Sequence, residues 1–215
     1  MSINKSDVAK LRAQTGAGML DCKKALEEAE GNFETAVDLL RKRGIVKAAK
    51  RAGKVAAEGA VTSYIHGAGK VGVLVEVNSE TDFVAKNELF QSLVSDIAMH
   101  IAAAAPLYVS IEDVPAELVE KEKDIYRAQL ETEGKPVDIV EKILEGKINK
   151  YFSEICLLNQ PFIKDEDKTV EQLLIEKTGE IGEKINVRRF ARYELGEGIE
   201  KEACNFAEEV EAQLQ

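Results

Sequence analysis

The stretch from residue 58 to residue 77, EGAVTSYIHGAGKVGVLVEV, decides the fold, because the hydrophobic period changes there from helical to strand-like. Val61, Ser63 and Ile65 alternate, His66-Gly67-Ala68-Gly69 supplies turn residues, and Val71 to Val77 is rich in β-branched side chains. A period of two on both sides of a glycine-containing turn predicts a β-hairpin. A polar loop follows. A helix is then expected over about 87–105, with Leu93, Val94, Ile97, Ala98 and Ile101 on one face and Pro106 just beyond its end.

Upstream of the hairpin the pattern is helical. Ser6 or Asp7 is expected to cap a first helix with Val8 and Leu11 facing inward. Gly16 and Gly18 break it, and a second helix is expected over 21–29, closed by Gly31. Asn32 is suited to cap a third, which buries Val37, Leu39 and Leu40 before Gly44 ends it. Residues 41–54 carry seven positive and no negative charges and are expected to form a connector.

Downstream, helices over about 115–133 and 137–152 flank Gly134-Lys135-Pro136 and predict an antiparallel helical hairpin with an apolar stripe on each arm. Thr169 and Gln172 have the spacing of a capping box. Ile185, Val187, Ala191, Tyr193 and Leu195 then recur at strand period, with Arg189 interrupting the apolar side. A last helix is expected over 199–215. Helices and strands alternate without βαβ regularity, so the fold class is α+β. The expected units are 1–54 (three helices and a basic linker), 55–114 (core sheet and helix), 115–152 (helical hairpin), 153–198 (rest of the core) and 199–215 (C-terminal helix).

The chain has 215 residues, 45% hydrophobic and 32% charged, which suits a folded soluble protein. Its net charge of −10 is unevenly spread. Residues 1–54 hold 12 Lys/Arg against 7 Asp/Glu, so the helical start is basic and the remainder strongly acidic. An acidic body is a poor match for a phosphate backbone, whose binding rests on Lys and Arg, so a protein partner is expected rather than direct contact with nucleic acid. The opening residues lack the apolar stretch of a signal peptide, and no run reaches the roughly 20 apolar residues that span a bilayer. Three dispersed cysteines argue against disulfides or a zinc site. A cytoplasmic protein with no membrane contact is expected.

Chemistry-bearing clusters are scarce. Two histidines, His66 in a turn and His100 in a helix, lack the spacing of a triad or a metal site. His100 lies at the edge of an apolar stripe, where it either packs or meets a partner. Neither Gly16-Ala17-Gly18 nor Gly67-Ala68-Gly69-Lys70 has phosphate-loop spacing. No catalytic residue, metal or cofactor is expected. The basic run reads as a solvated linker, as a contact for an acidic protein surface or as an RNA-binding module, the last without aromatic residues for stacking. The loop Ser79-Glu80-Thr81-Asp82-Phe83-Val84 is the most informative segment. Either Asp82 caps the next helix while Phe83 tucks onto the sheet, or the loop presents an apolar wedge beside a carboxylate.

Several motifs together resemble one known family. Thr15-Gly16-Ala17-Gly18-Met19 with Leu20-Asp21-Cys22-Lys23-Lys24-Ala25-Leu26 is similar to the N-terminal signature of the elongation factor Ts family. Thr81-Asp82-Phe83-Val84-Ala85 is similar to its second signature. The likeness continues, in order, through Ile97 to Ala103, Gln160-Pro161-Phe162 and Gly196 to Lys201. It implies a ubiquitin-associated-like N-terminal domain of three helices, a sheet-and-helix core, a protruding hairpin and a C-terminal helix. It also implies a non-catalytic guanine nucleotide exchange factor for elongation factor Tu. Thr81, Asp82, Phe83 and Val84 would then match the motif that disturbs the GTPase's magnesium site. Lys10, Arg12, Met19, Leu20, Lys23 and Lys24 are expected to form the N-terminal gripping surface, and His100 is a further candidate contact. Some family members carry two copies of the core subdomain and this chain carries one. The hairpin stripes are therefore expected to be completed either by a homodimer or by packing against the core, with the homodimer favoured.

Overall fold

A three-stranded antiparallel sheet forms where the strand-period residues predict it, with Val71–Ser79 between Glu58–His66 and Asn186–Glu194. The computed structural model describes residues 4–133 and 136–199, leaving aside the side chains of 137 and 138. The elements are α1 (Lys5–Thr15), α2 (Met19–Glu28), α3 (Phe33–Arg51), β1 (Glu58–His66), β2 (Val71–Ser79), α4 (Asp82–Ala85) and α5 (Glu88–Ala104). They continue with α6 (Ala116–Thr132), α7 (Val137–Ile155), β3 (Pro161–Phe162), β4 (Asp165–Thr169), α8 (Val170–Ile181) and β5 (Asn186–Glu194). The class is α+β. The C-terminal helix expected over 199–215 lies, from residue 200 on, outside the described residues.

The core follows from the patterns. Val73, Val75 and Val77 project from one face of β2 onto Phe90, Leu93, Val94, Ile97 and Ile101 of α5, with Val170 and Leu174 of α8 joining them. Burying each such side chain contributes about 1.5–3 kcal/mol. Val8, Leu11, Cys22, Ala25, Leu26, Ala36 and Leu40 form a separate small cluster within α1 to α3. The capping box of α8 is present, with Thr169 Oγ1 accepting from Gln172 N–H and Gln172 returning an oxygen to Thr169 N–H.

Four expectations are corrected. The first helix is capped by Asn4, whose side chain accepts from Ser6 N–H, not by Ser6 or Asp7. The second begins two residues early, at Met19. Gly44 does not end the third: α3 runs on to Arg51, and six of the seven basic residues of 41–54 are helical, not a separate connector. The reason is tertiary. Gly44 is where α3 crosses α8, and a Cβ added to Gly179 of α8 would lie 2.7 Å from the Gly44 Cα. Only glycine at 179 permits that approach, and packing against α8 carries α3 through Gly44 in spite of glycine's low helix propensity.

The fourth correction concerns β5. Its register against β2 slips between Glu76 and Val77, so that Glu76 faces Arg189 and Val77 faces Val187. Arg188 is the extra residue of a bulge, and a one-residue bulge flips every later side chain to the opposite face. Val187 therefore points into the core, whereas Ala191 and Tyr193 share the outer face with Leu74 and Gly72 of β2.

The apolar stripes of α6 and α7 meet each other. Leu130, Val140, Leu144 and Ile148 are buried in the hairpin and belong to neither of the two clusters. Within one chain the stripes thus cover each other and do not join the core cluster. Ile125 and Ile139 alone of the arms' large aliphatic residues stay exposed among those described.

Candidate functional site

Strand β2 ends in a tight corner that holds Phe83 outward. Ser79 is fully buried and its hydroxyl donates to the Thr81 carbonyl at 2.9 Å. Thr81 takes the N-cap position of α4, its Oγ1 accepting from Val84 N–H at 3.4 Å. Glu183, in the turn before β5, grips the same residue twice. Its Oε2 accepts from Thr81 N–H at 3.0 Å and its Oε1 from the Thr81 hydroxyl at 2.8 Å. Val84 packs against the core and Ala85 is buried. One turn of helix is thereby anchored on its inner side, and Phe83, on the other side, is 82% exposed.

Both halves of the expectation that Asp82 caps the helix while Phe83 tucks onto the sheet are corrected. The cap is Thr81, not Asp82, and Phe83 does not tuck onto the sheet. Asp82 instead accepts from Lys86 Nζ at 2.8 Å across one turn of exposed surface. That ammonium holds its carboxyl below the usual range. Phe83 is thus a large apolar side chain held out in water by a braced turn.

The N-terminal candidates Lys10, Arg12, Met19, Leu20, Lys23 and Lys24 are all exposed, two on α1 and four on α2. Leu20 is 74% exposed and Met19 49%. Lys23 pairs with Glu27 at 3.6 Å. The basic stretch is largely neutralised within the chain: Arg41 meets Glu176, Arg43 meets Glu28, Lys47 meets Asp21 and Arg51 meets Glu80. Four of its seven cations thus face acids brought in by the fold, a feature that charge counting along the sequence misses.

His100 is not a surface residue. It is 1% exposed, its Nδ1 accepts from Ile163 N–H at 3.2 Å, and its Nε2 lies 3.0 Å from Gln160 Oε1. An accepting Nδ1 leaves the proton on Nε2, which donates to Gln160. Gln160 passes the network on, donating to the carbonyls of Ala104 and Glu154. The side chain therefore ties the end of α5 to the base of the hairpin, and its reading as a partner contact is corrected. Burial pushes its pKa below the ordinary 6.5, so the neutral form is favoured in the folded protein. The folded state then binds fewer protons than the unfolded one, and stability falls as pH drops below about 6.5 toward the folded pKa. Denaturant melts from pH 7 to pH 5 should show this loss, and His100→Gln should reduce it, because glutamine keeps one donor and one acceptor without titrating. Equal pH slopes for the two proteins would refute the assignment.

Among the described residues no group of three His, Cys, Asp or Glu side chains is placed to hold a metal ion. No described helix is long and apolar enough to cross a membrane.

The chain was compared with known proteins. The family model for elongation factor Ts matches residues 34–197. An elongation factor Ts of Acetivibrio thermocellus is 63% identical over 207 residues, covering 96% of each chain. One of Geobacter sulfurreducens is 61% identical over 212 residues, covering 99% of this chain and 98% of its own. One of Alkaliphilus oremlandii is 61% identical over 214 residues, covering 100% and 99%. The matched range spans both the corner at Thr81 and the turn at Glu183, and the chain belongs to the elongation factor Ts family.

Proposed function

We propose that this protein is the guanine nucleotide exchange factor for elongation factor Tu, acting in the cytoplasm during translation elongation. The observation that carries the reading is Phe83, exposed on a turn that Thr81 and Glu183 hold in place. Residues 1–54, a ubiquitin-associated-like unit, recruit the GTPase through Met19, Leu20 and the lysines around them. Thr81 to Val84 enter near the magnesium site, whose ion bridges GDP to the GTPase. Displacing a ligand of that ion weakens nucleotide binding, and the coupling is reciprocal: GDP weakens the exchange factor's hold by the same factor. Released GDP is replaced by whichever nucleotide is in excess. No covalent bond is made or broken.

Release of labelled GDP from elongation factor Tu, with and without the protein, tests this reading. Acceleration is expected, and its absence at saturating protein overturns the proposal. RNA binding is the rival outcome, and it would show a steep fall with salt. The internal pairing of Arg41, Arg43, Lys47 and Arg51 speaks against it.

The homodimer is proposed on a different surface from the hairpin. Val61 and Ile65 of β1, Leu74 of β2 and Tyr193 of β5 all point outward from the sheet, each more than half exposed. A sheet with one solvated face normally carries polar residues there, and a like face on a second copy of this chain supplies an apolar cover. Sedimentation at tens of micromolar should find a dimer, and Leu74→Asp should return it to monomer. A monomeric wild-type chain under those conditions would remove the proposal.

A further inference from the structure

The corner that carries Phe83 is bound to the turn before β5 in both directions. Glu183 holds Thr81, as described. In the opposite sense, Glu80 Oε1 accepts from the backbone N–H of Lys184 at 2.7 Å. Each segment lends a carboxylate to the other's main chain across more than 100 residues of sequence. The second oxygen of Glu80 accepts from Arg51 Nη1 at 3.0 Å, and Arg51 is the last residue of α3. Lys184 Nζ completes the junction by donating to the carbonyls of Ala52 at 2.7 Å and Lys54 at 3.1 Å, which close the end of that helix.

An exposed ion pair contributes little to a fold, but this one is differently built. The Glu80 side chain is 14% exposed and divides its two oxygens between a backbone amide and a guanidinium. A charge-assisted bond with a mostly buried acceptor is stronger and more directional than a solvated one. Helix α3 also belongs to the unit that displays Met19 and Leu20. Glu80 is therefore the point at which the N-terminal unit and the Phe83 turn meet.

We infer that Glu80 and Glu183 are positioning residues for nucleotide release: Glu183 sets the direction and stiffness of the Phe83 turn, and Glu80, through Arg51, holds the N-terminal unit in register with it. The inference rests on the exchange function proposed above. A wedge does work on a partner only if it yields less than the partner does. When the turn is loosened, contact with Phe83 bends the turn instead of moving the partner's groups. The remaining interface still binds. Loosening Glu183 thus lowers the maximal release rate, whereas loosening Arg51 removes the tie that registers the N-terminal unit with the Phe83 turn and weakens engagement.

Stopped-flow release of fluorescent GDP from elongation factor Tu, titrated with the full-length chain, separates the maximal rate from the half-saturating concentration. Glu183→Ala should lower the maximal rate by about tenfold, with half-saturation changed by less than about twofold. Hydrogen exchange at the Thr81 amide should accelerate in the same variant. Glu183→Gln should recover most of the rate, since its amide oxygen accepts from Thr81 N–H and its NH₂ donates to the Thr81 hydroxyl. Arg51→Ala, at a partly exposed position, should raise half-saturation by about fivefold with the maximal rate little changed, and Arg51→Lys should restore part of it. Rate losses that track the unfolded fraction and are not relieved by Glu183→Gln would mark Glu183 as merely structural and overturn its assignment. Should Glu183→Ala fail to fold, Glu183→Gln and Arg51→Ala decide: wild-type behaviour of Arg51→Ala overturns the coupling through Glu80. A wild-type chain that releases no GDP overturns the exchange reading and this inference together. An active wild type with unaltered variants overturns this inference alone.

Discussion

Phe83→Ala is expected to slow GDP release from elongation factor Tu by about thirtyfold or more, the loss of roughly 2 kcal/mol typical of an aromatic anchor at an interface centre. The same substitution should leave unfolding stability within about 0.5 kcal/mol, because an 82% exposed ring has little buried area to lose. A buried phenylalanine truncated to alanine costs about 3–5 kcal/mol, so Phe90→Ala, at 0% exposure, provides the contrasting case in the same assay. Asp82→Asn refines the result. Thr81 is the cap, so the change leaves the turn intact and removes only the charge and its pairing with Lys86. Slower release in that variant would assign a role to the charge itself, and an unchanged rate would confine Asp82 to the pair with Lys86. The wedge reading fails if Phe83→Ala remains folded and exchanges GDP at the unmodified rate.

Much of this was legible because it is local. The hairpin around Gly67 to Gly69, the α5 stripe from Leu93 to Ile101, the Asn32 cap and the capping box at Thr169 all follow from residues within a few positions of one another. Some failures were local, at the Asn4 and Thr81 caps and the start of α2 at Met19; the others were non-local. Gly44 reads as a stop until Gly179 is seen against it, 135 residues later in the chain. The outward turn of Tyr193 depends on a bulge set by pairing with Glu76, which no alternation within 185–195 reveals. Phe83 could be singled out as unusual, but its exposure depends on Glu183, which lies 102 residues from the Thr81 it holds. Glu80 stood in the quoted loop without a visible function, since its partners Arg51 and Lys184 come from two other parts of the fold. The basic run misled for the same reason: its acids arrive from α2, α8 and β2's end.

Deleting residues 1–54 is expected to weaken binding to elongation factor Tu by about a hundredfold, or about 2.8 kcal/mol, while the remainder stays folded. The remainder should fold because the cluster around α5 contains no residue before Val73, and the N-terminal cluster is confined to α1, α2 and α3 with their connections. Affinity should fall because the deletion removes Met19 and Leu20 together with Arg51, the link to the Phe83 turn. A milder variant separates these losses. In Gly179→Ala the new Cβ would lie 2.7 Å from the Gly44 Cα and 2.8 Å from its carbonyl oxygen, so α3 must lift from α8 while every contact residue is retained. Gly44→Ala is the control, because a Cβ there meets nothing within 4 Å and alanine favours the helix. If the docked position of the N-terminal unit matters, Gly179→Ala should lose part of the affinity that the deletion loses and Gly44→Ala none. If Gly179→Ala binds as well as wild type while the deletion binds weakly, the unit grips as a tethered body and its docking on α8 is incidental. Isothermal titration of the four proteins against elongation factor Tu distinguishes these outcomes, and undiminished binding by the truncated chain would show that residues 1–54 make no grip at all.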